Sequence, residues 1–239
     1  MRIRLPLRRS LFLLCAFLIA LLLFLPLRLA LGWLGLERTG VTARAATGSV
    51  WSGRLKEARL GDAPVGDLDA GLSALPLLLG RARVGVESPQ PGPGRIVGAI
   101  MVRRSGLGIE DMTGAIPVAA AFAPLPLETL DLSEVSLAFA DGQCDRAGGQ
   151  VKAMLSGSIA GLDLAQGLSG NARCEGGALL LPLQSQSGME RLALRLFEDG
   201  RYALDFSVRP ADPALGARLV ASGFRQTAQG YAFSLKGKF

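Results

Sequence analysis

Residues 48–55, GSVWSGRL, hold two serines between glycines and are the first place to look for a nucleophile. A serine on a sharp catalytic turn has glycines two places before and two places after it, but Val50 stands where the first glycine would precede Ser52. The chain has no histidine to activate a serine, and none of its lysines forms a Ser-x-x-Lys pattern. This stretch therefore predicts no hydrolase.

The absence of histidine also removes the usual general base and the commonest metal ligand. Asp62, Asp67 and Asp69 form a loose acidic cluster in GDAPVGDLDAG, but the ligand spacing and final glutamate of an EF-hand are missing. We interpret them as solvated turn residues. The sequence predicts no enzyme, no metal and no cofactor.

The positions of the three cysteines fit a domain in an oxidising compartment. Cys15 lies in an apolar segment, whereas Cys144 and Cys174 stand in glycine-rich, turn-like settings 30 residues apart. In an oxidising compartment such a pair favours a disulfide, and two free thiols are the alternative. No Cys-x-x-Cys motif supports a redox or zinc site.

Residues 10–27, SLFLLCAFLIALLLFLPL, carry no charge and as a helix would span about 27 Å, enough for a hydrocarbon core. A cleaved signal peptide is the alternative, but the apolar run is long and no clean Ala-x-Ala follows it. Four arginines precede the segment, which favours a cytoplasmic N-terminus. We predict a cytoplasmic tail (1–9), a transmembrane anchor and juxtamembrane segment (10–35), and a periplasmic β-rich domain (36–239) in the cell inner membrane.

The domain after the anchor is predicted to be mainly β, because its apolar residues recur at every second position. Residues 191–208 show this best, with two alternating runs around Asp199-Gly200, and Asp141-Gly142 marks a second hairpin. One short helix is expected after Asp212 as N-cap and Pro213. The fold class is thus an N-terminal transmembrane helix followed by a curved antiparallel sheet or a two-layer β domain with one short helix.

Three Leu-Pro-Leu tripeptides of the domain after the anchor, at 75–77, 125–127 and 181–183, are expected to mark the start, edge or bend of a strand, since proline cannot donate to a central ladder.

The net charge of +6 does not indicate nucleic-acid binding. Four of the positive charges precede residue 10, and the acids and bases of the rest are interspersed. Nucleic-acid binding requires a clustered basic face, so we exclude that class.

The order of the short motifs provides a family resemblance. An arginine-flanked anchor is followed by PLRLALGWLGL, GSVWSGRL, LSALPLLLGRARV, FADGQC, ARCEGGALLLPLQSQSG and YAFSLKG. This arrangement resembles the type II secretion system protein N family. The resemblance implies a bitopic inner-membrane protein whose periplasmic β domain contacts other secretion components during export of folded proteins across the outer membrane. It also implies pairing of Cys144 with Cys174, and it implies no catalytic residue.

An AsmA-like module that handles lipid in a β-sheet groove remains the alternative, with lipid as a partner. In either case residues 48–55 are expected to begin the first strand of the sheet. Gly48 and Gly53 would permit a tight approach, Trp51 would bury its ring in the core, and Gly48, Trp51, Ser52 and Gly53 are candidates for a structural motif or a partner contact.

Overall fold

The structure is a computed structural model. It describes residues 11–14, 16–17, 20, 24–29, 41–60, 63–90, 92, 94–119, 121–123, 125–156, 158–159, 162–164, 166–212 and 214–238. Within this described part of the chain, no helix is both long enough and apolar enough to cross a membrane. The predicted anchor, residues 10–27, lies partly outside the described residues and stays a prediction.

The described chain is mainly β, and its strands follow one another closely. In order they are β1 (Val41–Thr42), β2 (Ala45–Gly48), β3 (Gly53–Leu60), β4 (Ala63–Leu72), β5 (Ala82–Glu87), β6 (Val97–Arg103), β7 (Gly106–Pro117), β8 (Leu127–Ala140), β9 (Gln143–Leu155), β10 (Ser158–Ile159), β11 (Leu162–Asp163), β12 (Leu168–Asn171), β13 (Arg173–Glu175), β14 (Ala178–Gln184), β15 (Glu190–Leu196), β16 (Arg201–Val208), β17 (Arg225–Thr227) and β18 (Gly230–Lys238). Two short helices interrupt them, α1 (Ala74–Leu78) and α2 (Ala214–Ala221).

Sixteen strands form one open antiparallel sheet in the order β1-β3-β4-β5-β6-β7-β8-β9-β12-β14-β15-β16-β18-β17, with β2 also on β3 and β13 also on β14. The remaining two strands, β10 and β11, form a separate hairpin. Of the two architectures that the alternating pattern allowed, the structure confirms the single antiparallel sheet. Most neighbours in the sheet are also neighbours in sequence, so short turns make most of the connections.

The alternation predicted for residues 191–208 is confirmed. Leu194 of β15 lies opposite Leu204 of β16, which lies opposite Leu235 of β18. Leu194 and Leu204 are fully buried, so the alternating leucines face inward. The alternation at the C-terminus also predicts that Phe239 shares one face with Tyr231, Phe233 and Leu235, but Phe239 lies outside the described residues.

The sheet turns its apolar face inward by coiling over itself. The segment between β7 and β8 crosses this face, where the Phe122 ring packs edge-on against Tyr202 of β16 with centroids 5.1 Å apart. The Tyr202 hydroxyl donates to the Ala121 carbonyl at 2.9 Å. The β15–β16 turn also reaches β7, because a Cβ on Gly106 would lie 3.2 Å from Glu198 Oε1. These contacts join strands that are several positions apart in the sheet order.

Three bulges have the same kind of hydrogen bond. Bulges bend and twist the strands that carry them. Glu57, Asp111 and Glu134 have φ near +50° at the register shifts of β3–β4, β7–β8 and β8–β9. Each donates its backbone N–H to a side-chain oxygen of a neighbouring strand. The acceptors are Asp67 Oδ1 at 2.9 Å, Ser136 Oγ at 3.0 Å and Thr113 Oγ1 at 3.1 Å.

The buried residues form two clusters. The large cluster is centred on β8, β9 and β12 to β16 and includes Leu127, Val151, Ala153, Leu168, Leu183, Leu192, Leu194, Leu204 and Phe206. The small cluster consists of Leu27, Leu55, Ala58, Leu68, Ala70, Val86, Ile96 and Met112. Ile109, Ile116 and Leu132 pack against both clusters and connect them.

Helix α2 confirms the helix predicted after Asp212, whose Oδ1 accepts the Ala214 N–H at 2.8 Å. The Leu-Pro-Leu prediction is confirmed for 125–127, since Leu127 begins β8. It is wrong for 75–77, which lies within helix α1. Proline is tolerated there because a helix of five residues has almost no internal ladder to break.

Candidate interaction site

Residues 49–52 form the turn between β2 and β3. Gly48, at φ +86°, pairs with Gly53, and the Ser49 N–H donates to the Ser52 carbonyl at 3.2 Å. The Ser52 N–H donates back to Ser49 Oγ at 3.3 Å. The prediction that this stretch begins the first strand is wrong, because Gly48 takes a left-handed conformation that turns the chain. Both serines serve the turn.

The turn joins the end of the N-terminal segment to the sheet. The Val50 N–H donates to the Leu25 carbonyl at 3.0 Å, and the Val50 carbonyl accepts the Leu72 N–H at 2.8 Å. Pro26 and Ser49 form an antiparallel bridge beside these bonds. Val50 is buried and Trp51 is partly exposed, so the prediction that Trp51 fills the core is wrong. The buried side chain of the turn is the valine.

Gly53 permits the closest approach at this end of the sheet. A Cβ there would lie 2.5 Å from Leu27 Cδ2 and 2.9 Å from the Ser49 carbonyl oxygen. Leu27 is buried in the small cluster with Leu55 and Leu68. The last residue of the apolar segment is therefore part of the domain core. We call the end of the sheet that carries residues 25–29, the β2–β3 turn and α1 the anchor-side end.

An ion pair stands beside the turn on the outer face. Arg54 of β3 donates from Nε to Asp69 Oδ1 at 2.7 Å and from Nη2 to Oδ2 at 3.3 Å. The hydrogen bond from Arg54 lowers the pKa of Asp69, and the pKa of Arg54 is raised by the same bond. Both side chains line an open depression of about 440 Å³ together with Trp51 and Gly85. The depression is shallow and charged rather than a closed ligand pocket.

The acidic cluster of the sequence does not assemble a metal site. Asp62 lies outside the described residues, Asp67 accepts the Glu57 N–H and Asp69 pairs with Arg54. Both described aspartates belong to β4, so the prediction that they are turn residues is wrong for them. Among the residues that the structure describes, no three acidic or cysteine side chains are grouped to hold an ion.

Cys144 of β9 and Cys174 of β13 form a disulfide, with Cα atoms 5.4 Å apart. The prediction of this pair is confirmed. The ladder between β9 and β12 ends at Gln150 and Asn171, so the disulfide joins the two segments of the chain beyond the end of that ladder. It holds the β8–β9 hairpin to the second half of the sheet.

One edge of the sheet is left open, which the sequence pattern did not reveal. Strand β18 pairs with β16 along its whole length, whereas β17 covers only residues 230–232 of its other edge. Residues 233–238 have no strand partner on that edge among the described residues. The alternation at the C-terminus predicted the strand, but only the short register of β17 shows that its edge is open.

The fold defines a class of protein: a disulfide-linked β domain built as one coiled sheet, with an open strand edge and with no metal-holding group of side chains among its described residues. The family model of type II secretion system protein N matches residues 39–234, and the chain belongs to this family. Neither a curated protein nor a solved structure matches the chain.

Proposed function

We propose that this protein is an inner-membrane-anchored periplasmic accessory component of the type II secretion system. It acts by protein–protein interaction in the export of folded proteins across the outer membrane. The observation that carries this proposal is family membership over residues 39–234, which supports a secretion component. The charge-free segment at 10–27, with four arginines before it, supports the inner-membrane anchor.

A binding role fits the side chains of the domain. The chain has no histidine, and several of its described acidic groups enter ion pairs or, for Asp67, the hydrogen bond of a bulge. The exposed ion pairs are of the kind that keeps a surface soluble and selects partners by charge. A serine nucleophile would have no histidine as its base.

The open edge of β18 is the surface that we propose for a protein partner. An extended segment can add to an exposed strand edge through backbone hydrogen bonds. Lys236 and Lys238 lie on this edge and are exposed, and lysines on an edge oppose unselective pairing between strands. A partner strand with acidic side chains would satisfy both the backbone groups and the lysines.

The lipid-carrying alternative has less support. Its groove would need an open apolar face, but Leu194, Leu204 and Phe206 on that face are fully buried by the chain itself. Phe122 covers the same face and is 1% exposed. We therefore favour the protein-binding module.

Deletion in the native host tests the proposal. We expect the folded secretion substrates to accumulate in the periplasm, and a plasmid copy should restore their export. Normal export in the deletion strain would contradict a role in secretion.

Site-specific crosslinking tests the edge. A photoreactive residue replacing Lys236 should crosslink to a secretion component in native membranes. The matched control replaces Lys152, an exposed lysine of β9 that is paired on both sides with Asp131 and Ser169. Equal crosslinking at the two positions would reject the edge as the docking surface without rejecting the secretion role.

A further inference from the structure

Helix α1 and the residue after it expose several leucines. Leu75 is 79% exposed, Leu79 is 75% exposed and Leu77 is 38% exposed. The loop is held at its base, where the Ser73 N–H donates to the Arg83 carbonyl at 2.8 Å. Three large apolar side chains within five residues, projecting from a fixed base, indicate a surface that is covered in the working protein.

The loop lies at the anchor-side end of the sheet. It follows Leu72, whose N–H bonds to Val50, and Val50 in turn bonds to Leu25. Adjacent backbone segments in a sheet are about 4.8 Å apart, so Leu72 lies about 10 Å from Leu25. Leu25 belongs to the charge-free segment of residues 10–27. The exposed leucines therefore project from the end of the domain at which the apolar segment arrives.

The charged residues of the loop segment itself are positive, and one of them, Arg83, is paired with Glu110 of β7 at 3.1 Å. Residues 70–86 contain Arg81 and Arg83 and no acid. Arg81 is exposed, and so are Arg28 and Leu29 on the neighbouring residues 25–29. An apolar tip flanked by arginines is typical of protein segments that lie in the headgroup region of a membrane, where the arginines contact lipid phosphates.

We propose that the leucine loop, residues 74–81, inserts into the periplasmic leaflet of the same membrane that holds residues 10–24. The domain then has a second contact with the bilayer, which fixes the orientation of the sheet relative to the membrane. This inference rests on the anchor of the proposed function.

A bilayer is the occupant that the position of the loop favours. The chain between residue 24 and the core has no slack, because Leu27 itself is buried in the small cluster. Any membrane that holds residues 10–24 must then come close to the β2–β3 turn and to the loop beside it. A protein partner would have to enter this narrow space.

Depth-dependent quenching in the full-length protein tests the proposal. The chain is reconstituted into vesicles of phosphatidylethanolamine and phosphatidylglycerol, with the fluorophore NBD on one free thiol. The label sits on native Cys15, on Leu79→Cys, or on Gln90→Cys, the last two with Cys15→Ala. Gln90 is the matched control, because it is exposed beyond the C-terminal end of β5, at the opposite end of the sheet from α1.

We expect spin-labelled lipid to quench the label at Leu79 and at Cys15, and aqueous iodide to quench the label at Gln90. Quenching of Leu79 by iodide while Cys15 is quenched by lipid would overturn the leucine-loop proposal and leave the anchor intact. Quenching of Cys15 by iodide would contradict the anchor itself. Protection of Leu79 from both quenchers would also overturn the proposal, because it would indicate contact between copies of the chain.

A charge substitution provides a second test. Leu75→Asp should reduce lipid quenching of the label at Leu79, since it places an acid among headgroup phosphates. Val220→Asp on α2, where the valine is 51% exposed, should leave that quenching unchanged. An intact Cys144–Cys174 disulfide on a non-reducing gel verifies folding of each variant. Equal quenching in both variants would count against insertion.

Discussion

Cys144 and Cys174 are joined where the backbone ladder between their chain segments has ended. The disulfide closes a loop of 30 residues, which by the chain-entropy relation stabilises the domain by about 3–4 kcal/mol. We expect the double variant Cys144→Ala/Cys174→Ala to lose stability by that amount in urea unfolding monitored by fluorescence. Reductant should lower the stability of the wild type to that of the double variant, and Cys15→Ala should unfold like the oxidised wild type. A double variant as stable as the wild type would show that the ladders alone hold this region.

The contribution of Asp69 to the stability of the fold is expected to fall as the pH is lowered. Its pKa is lowered in the folded state by the hydrogen bond from Arg54, so the unfolded state binds its proton more readily. The contribution to stability is present above the unfolded pKa of about 3.9 and is lost as the pH falls through the lower folded pKa. We expect Asp69→Asn to reduce stability at pH 7, with the difference from the wild type disappearing in strong acid.

The carboxyl group of Asp69 can be titrated directly by carbon-detected NMR. Its midpoint should lie below the ordinary aspartate value and should rise in Arg54→Gln. The effect on stability will be small because the pair is exposed to solvent. A midpoint that does not move in Arg54→Gln would assign the lowered pKa to another cause.

At the scale of elements, the bulges of β3, β7 and β8 follow one pattern of hydrogen bonding. The N–H of Glu134 has left the regular ladder and donates to Thr113 Oγ1 instead. Thr113→Val keeps the shape of the side chain and removes this acceptor. We expect a loss of about 1 kcal/mol, since an unsatisfied N–H costs about 1–3 kcal/mol and this one is near solvent.

Hydrogen exchange distinguishes the loss of the Glu134–Thr113 hydrogen bond from a general loss of packing. The amide of Glu134 should exchange faster in Thr113→Val, while Thr129→Val in β8 should leave it unchanged. Equal exchange rates at Glu134 in both variants would mean that water satisfies this N–H as well as the threonine does.

The elements also show what the sequence could predict. Alternation and the dipeptides Asp141-Gly142 and Asp199-Gly200 predicted two hairpins, because these signals act over a few residues. The turn at 49–52 was missed, since Gly48 and Gly53 also fit a strand with a bulge. The run of leucines in α1 fits burial or exposure equally well, and only its place at the end of the sheet decides between them.

At the scale of the whole molecule, the coiling of the sheet could not be predicted. It depends on contacts such as Phe122 with Tyr202, which join residues 80 positions apart in the sequence. Such contacts follow from the curvature that the bulges introduce, and no local pattern encodes them. The choice between one coiled sheet and two stacked sheets therefore required the structure. The open edge of β18 likewise became visible only from the strand order of the structure.

The two core clusters predict unequal stability along this single sheet. Strands β14 to β16 have fully buried residues of the large cluster, while β3 to β6 depend on the small one. Regions with few buried apolar contacts open at lower free energy, so amides of β3 to β6 should exchange faster than those of β14 to β16. Leu68→Ala should accelerate exchange mainly in β3 to β6, whereas Leu194→Ala should accelerate it in both halves. Uniform acceleration by Leu68→Ala would show instead that Ile109, Ile116 and Leu132 couple the clusters into one cooperative unit.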